Sequence, residues 1–116
     1  MAEAARKLDD TLAALADPTR RHVVELLRDR PRRAGELARA GGVSAPAMSR
    51  HLRVLRRGGL VEEQRQEDDA RVRVYRLRPE PFRALGGWLE EVEAFWTDSL
   101  DSFKAHAERG RGRKRR

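Results

Sequence analysis

Three arginines, Arg50, Arg53 and Arg57, recur at three- and four-residue spacing in a stretch, residues 44–61, that holds four basic residues and no acidic one. On a helix turning about 100° per residue they share one face. Exposed helix faces normally mix charge signs, so a row of one sign points to a polyanion. Arginine can grip O6 and N7 of guanine with two parallel N–H bonds, and it can hold phosphate oxygens without regard to sequence. Arg50, nearest the start of the helix, is the candidate for a base edge. Arg53 and Arg57 suit phosphates, and Ser49 beside Arg50 can donate to either. Ser44, Ala45 and Pro46 open the helix, where unpaired backbone N–H groups can meet a phosphate. His51 lies about 60° from the apolar stripe of the same helix, which makes it either a packing residue or a further DNA contact. Downstream, Arg71 and Arg73 can reach the minor groove or a flanking phosphate; the competing use is pairing with Glu67, Asp68 and Asp69.

Other chemistries find little support. The chain has no cysteine, which removes disulfides, thiolate metal sites and thiol catalysis together. Glycine-rich phosphate loops, a GxSxG elbow and HExxH are all absent. Ser49 and His51 are two residues apart on one helix, so their side chains diverge by about 200° and cannot form a nucleophile–base pair. No catalytic residue, metal ligand or cofactor is expected. No apolar run approaches the roughly 20 residues of a membrane span, and the opening MAEAARKLDD lacks the apolar core of a signal peptide. These features predict a cytoplasmic, non-enzymatic domain with no membrane partner.

The net charge of +7 is unevenly spread, because six basic residues lie in the last eight, RGRGRKRR. The remainder is therefore close to neutral, with a positive block at 44–61 and an acidic segment at 80–108 that holds seven acidic and two basic residues. The central block is thus a better argument for nucleic acid than overall basicity.

These side chains need elements to hold them. Leu8, Leu12 and Leu15 predict a first helix over 3–16. Asp17-Pro18 reads as the cap and first position of a second helix, which Pro31 ends. A short helix over 34–40 is broken by Gly41-Gly42, and Ser44 caps the arginine helix, which stops at Gly58-Gly59. Met48, Leu52 and Leu55 form that helix's inward stripe. Runs 60–65 and 71–77 read as a β-hairpin with a loop at 66–70. A long last helix over 82–107 carries Leu85, Leu89, Val92, Trp96, Leu100 and Phe103 in a nearly heptad seam. This order predicts a mainly α fold with a small β-hairpin (α+β), a winged helix-turn-helix: helices 1–4, a two-stranded wing and a long C-terminal helix. Residues 1–108 form one DNA-binding and dimerisation domain, and 109–116 a disordered basic tail. So much apolar surface on one helix predicts a homodimer.

The stretches DPTRRHVVELL (17–27), ELARAGGVSAPAMSRHLRVLRRGGLV (36–61) and RVRVYRL (71–77) resemble the ArsR/SmtB winged-helix repressors. The resemblance implies a homodimeric bacterial transcription repressor on double-stranded DNA. The first and last helices, with Leu8, Leu12, Leu15 and the seam Leu85–Phe103, would form the dimer interface, and the helix 45–57 would enter the major groove. The family's metal box reads here as Glu36-Leu37-Ala38-Arg39-Ala40, with alanine at both sulfur positions. The last helix offers only His106 in place of paired histidine and acidic ligands. This is therefore the look of a branch without metal-binding cysteines, and metal sensing is not expected. No residue pattern identifies an inducer, small molecule or protein. The reading from a different class is a winged-helix interaction module that binds protein, or nucleic acid without sequence choice.

Overall fold

A computed structural model describes residues 2–114, with side chains described through residue 110. The elements run α1 (Ala2–Ala14), α2 (Pro18–Leu27), α3 (Ala34–Gly41), α4 (Ala45–Arg57), β1 (Val61–Arg65), β2 (Arg73–Leu77) and α5 (Pro79–Lys114). They divide into two units, Met1–Ala84 and Leu85–Arg116.

The first unit is built around one core. Val23 and Leu27 of α2, Leu37 and Ala38 of α3, and Met48, Leu52 and Leu55 of α4 meet Ala14, Leu60 and Val61 there. Burying a side chain such as Leu55 stabilises the fold by about 1.5–3 kcal/mol. The spacing of 48, 52 and 55 therefore dictates which side of α4 turns inward. Two left-handed glycines release the chain around this packing. Gly42 (φ 65°) ends α3 and Gly59 (φ 75°) ends α4. After α4 the N–H of Gly59 donates to the carbonyl of Arg56 at 3.0 Å and that of Leu60 to Leu55 at 3.0 Å, a Schellman closure.

Helix α1 stops at Ala14, two residues before the expected end, and the segment DPTRR accounts for it. The Asp17 carboxylate caps α2, accepting from the N–H groups of Thr19 (2.8 Å) and Arg20 (3.1 Å). Arg20 and Arg21 then turn back onto the end of α1. Arg20 donates to the carbonyls of Ala14 (2.6 Å) and Ala13 (3.3 Å), and Arg21 to Leu15 (2.9 Å). Carbonyls at a helix end lack internal partners, and cations there complement the helix dipole.

The hairpin is antiparallel, with Glu63 opposite Tyr75. Both strands begin later than expected, at Val61 and Arg73. The second start is delayed because Asp69 builds a turn: its side chain accepts from the Arg71 N–H at 3.1 Å and its carbonyl from Val72 at 3.0 Å. Arg71 thus belongs to the loop at the wing tip, not to the strand. A bridge the sequence reading lacked joins Arg32 to Tyr75 through paired backbone hydrogen bonds of 3.1 and 2.8 Å. Helix α5 is longer than expected at both ends. Pro79 and Pro81 fall in its first turn, where a missing N–H costs nothing. At the other end it runs through Lys114, into the stretch 109–116 read as a tail; residues 115–116 lie outside the described residues.

The N–H of Arg20 holds the Asp17 carboxyl below its usual range; slight burial opposes this, and Thr19, His51 and Arg20 add to it. A depressed pKa stabilises the fold above the unfolded value, and the contribution is lost as pH falls through the folded one. Asp17→Asn keeps a capping side chain without the charge. It is expected to lower the urea midpoint at neutral pH, and the gap from wild type is expected to close as pH falls through the carboxylate range. A gap that is constant with pH would mean the charge contributes nothing.

Candidate nucleic-acid interface

Ser44 sets the start of α4, accepting from the N–H of Ala47 at 3.2 Å. With Met48, Leu52 and Leu55 buried, the opposite side of the helix is open: Pro46, Arg50, Arg53 and Arg57 are exposed there, as are Ser49 on its flank and Ser44 and Ala45 at its start. Among the described residues the ion pairs of α4 are confined to His51 and Arg56. Among the described residues, Arg50, Arg53 and Arg57 therefore present positive charge with no carboxylate at ion-pair distance. Leaving three guanidinium groups in water costs the fold little, and an anion can use them at once.

His51 sits elsewhere. Its ring is mostly covered, with Nδ1 3.3 Å from Arg20 Nη1 and 4.0 Å from the Asp17 carboxylate. It fastens α4 to the joint between α1 and α2, in keeping with the packing role weighed for it. Arg71 is exposed at the wing tip and bound to Asp69 at 3.2 Å, the competing use foreseen for it. Arg73 lies on β2 and pairs with Glu63 at 3.2 Å.

Three residues of this surface were missed in the sequence. Arg56 pairs with Glu63 at 3.0 Å and so ties α4 to the wing. Tyr75 lines a cleft of about 430 Å³ between them, together with Ser49, Arg53, Arg56 and Arg57. Its phenol is pushed above its usual range by burial and then by the Glu63 charge, so it stays a hydrogen-bond donor. The available signal was the acid-free block 44–61 running straight into Glu62-Glu63, since a hairpin that follows a helix directly must fold back beside it.

The residues assigned to dimerisation carry unusual exposure. In the second unit Leu89, Trp96, Leu100 and Phe103 are 51–71% exposed, and Phe95 stacks edge-on against Trp96 with ring centroids 6.3 Å apart. Leu85 and Val92 are half-buried. On α1, Leu12 is 41% exposed and Leu8 half-buried; Leu15, just past the end of α1, packs against the core of its own chain.

The profile of the bacterial regulatory protein, arsR family, matches residues 17–63. The HTH-type transcriptional regulator Rv2034 of Mycobacterium tuberculosis is 41% identical over 98 residues, 84% of this chain and 86% of the relative. The chain belongs to the arsR family of bacterial regulatory proteins. Solved arsR-type structures agree. An ArsR-like transcriptional regulator from Rhodococcus sp. RHA1 superimposes with a TM-score of 0.77 at 30% identity, over 93% of this chain and 96% of that one. The homodimeric winged helix-turn-helix DNA-binding domain Mb0332 of Mycobacterium bovis, a possible ArsR-family regulator, gives 0.61 at 25% identity, over 85% and 86%. The matched segment 17–63 runs from the Asp17 cap to Glu63, so it contains both the joint that holds α4 and the arginine row.

The two sides of α4 should separate in a stability assay. Arg50→Ala, Arg53→Ala and Arg57→Ala are each expected to move the unfolding free energy by less than about 0.5 kcal/mol. Leu55→Ala, on the same helix, should cost about 2–5 kcal/mol. Urea denaturation followed by circular dichroism reads both, and an arginine variant that destabilises like Leu55→Ala would mean its side chain is part of the fold.

Proposed function

We propose that this arsR-family regulator is a homodimeric repressor that reads an imperfect palindrome through α4 and the wing. The observation that carries the reading is the Arg50, Arg53, Arg57 row, exposed and unneutralised on the side of α4 opposite its buried stripe. Arg50, early in the helix, takes the base-edge role. Arg53 and Arg57 hold phosphates, Ser49 donates beside them, and Ser44, Ala45 and Pro46 bring the helix N-terminus to the backbone. Arg71 and Arg73 serve the flanking DNA from the wing. His51 acts through the position of α4. Repression follows from occupying a promoter, and the working compartment is the bacterial cytoplasm, where the chromosome lies.

Dimerisation is supported by the apolar side chains of α5 and by Leu8 and Leu12 of α1, since exposed patches of this kind mark interfaces. In a two-fold dimer the two α4 helices enter successive major grooves about 34 Å apart. A response that is independent of metal is supported by residue types: Ala38 and Ala40 stand where the family's metal box has sulfur, and Ala38 is 6% exposed inside the core.

Two experiments follow. In anisotropy titrations on the protein's own upstream region and on a random duplex, wild type should prefer the former. Arg50→Ala should cost about 1–3 kcal/mol per half-site and narrow that preference. Added zinc or arsenite should leave both affinities unchanged. Equal affinity for the two duplexes would favour the interaction module without sequence choice. By light scattering the mass should be twice the 13.3 kDa of the chain, and Trp96→Ala should shift it toward the monomer at micromolar concentration. A wild-type monomer would remove the palindrome from the account.

A further inference from the structure

On this surface Glu63 binds two elements at once. Its Oε2 lies 3.0 Å from Arg56 Nη1 at the end of α4, and its Oε1 lies 3.2 Å from Arg73 Nη1 on β2. Its side chain is only 17% exposed, while those of Arg56 and Arg73 are 52% and 66% exposed. A carboxylate so covered is costly without partners, whereas the arginines lose little by reaching it. The three groups line a cleft of about 220 Å³ with Gln64 and Arg65, next to the Ser49–Tyr75 cleft, and Arg56 lines both. Each arginine spends one nitrogen on Glu63 and keeps its remaining donors.

We propose that Glu63 is a positioning residue for DNA recognition: it holds Arg56 and Arg73, from recognition helix and wing, in one fixed arrangement so that both meet the same stretch of DNA backbone. This rests on the proposed reading of α4 and the wing as the DNA surface. The two arginines become phosphate ligands whose rotamers are set before DNA arrives, so less freedom is lost on binding. A negative charge at a DNA interface then strengthens binding, opposite to its direct effect on a polyanion.

That reversal of sign makes the proposal testable. Glu63→Gln removes one negative charge, and electrostatics alone would tighten binding. Positioning predicts weaker binding to the upstream duplex by about three- to tenfold, within the range of coupling between contacting residues. Glu67→Gln removes the same charge from the wing loop, where Glu67 is exposed, and should bind no more weakly than wild type. In an Arg56→Ala/Arg73→Ala background nothing remains for Glu63 to hold, so adding Glu63→Gln should tighten binding. If Glu63→Gln lowers the folded fraction on its circular dichroism melt, Glu63→Asp, which keeps the charge and shortens the reach, is measured in the same two backgrounds. It should weaken binding in the first and leave it unchanged in the second. Binding by Glu63→Gln as tight as that of Glu67→Gln overturns the proposal, as does an equal loss with and without the two arginines. A wild-type protein that shows no preference for the upstream duplex removes the proposed function itself, a result distinct from either.

Discussion

The burial of Met48, Leu52 and Leu55 determines which side of α4 is left for a ligand. Met48 and Leu55 are 0% exposed and Leu52 2%, so rotating the helix to hide its arginines would tear open the core. At about 2–5 kcal/mol per truncated leucine, against a net stability of about 5–15 kcal/mol for a small domain, the core decides and the arginines follow. Charge is therefore displayed because packing forbids any other arrangement, with no strain required at the arginines themselves.

A helix pinned on one side still has to be aimed. Two polar joints do this, one midway along α4 and one at its end. At the middle of the helix, His51 rests on Arg20 and Asp17, which also cap the facing ends of α1 and α2. At the C-terminal end, Gly59 turns the chain so that β1 returns beside the helix, and Glu63 accepts from Arg56 and Arg73. DPTRR, part of the stretch that carries the family resemblance, is in this structure a joint between helices. The arginines that meet DNA in the proposed reading are a different set, on the far side of α4.

Much of this was legible in the residues. The bounds of α4 follow from Ser44, the inward stripe and the glycine pair, because each signal is local and all agree. The caps at Asp17 and Gly42 were readable for the same reason. What was not legible depends on partners distant in sequence or on turn chemistry. Arg20 and Arg21 look like part of a charged helix face until the end of α1 is found beside them. Arg71 reads as strand by alternation, yet Asp69 draws it into a turn. Arg56 falls outside the row of Arg50, Arg53 and Arg57 and reads only as a fourth basic residue of the block until the hairpin brings Glu63 to it. The seam of α5 was readable as a period, and its exposure is what supports the dimer contact proposed for it.

The central claim is that α4 enters the major groove, once in each half of a two-fold site. Methylation protection of guanine N7 tests it most directly, because that atom lies in the major groove and is one of the two acceptors an arginine fork takes. On the upstream duplex the account predicts two clusters of protected guanines centred about one helical turn, ~34 Å, apart on one face of the DNA. Binding that leaves every guanine N7 reactive, or that protects a single cluster, would contradict it.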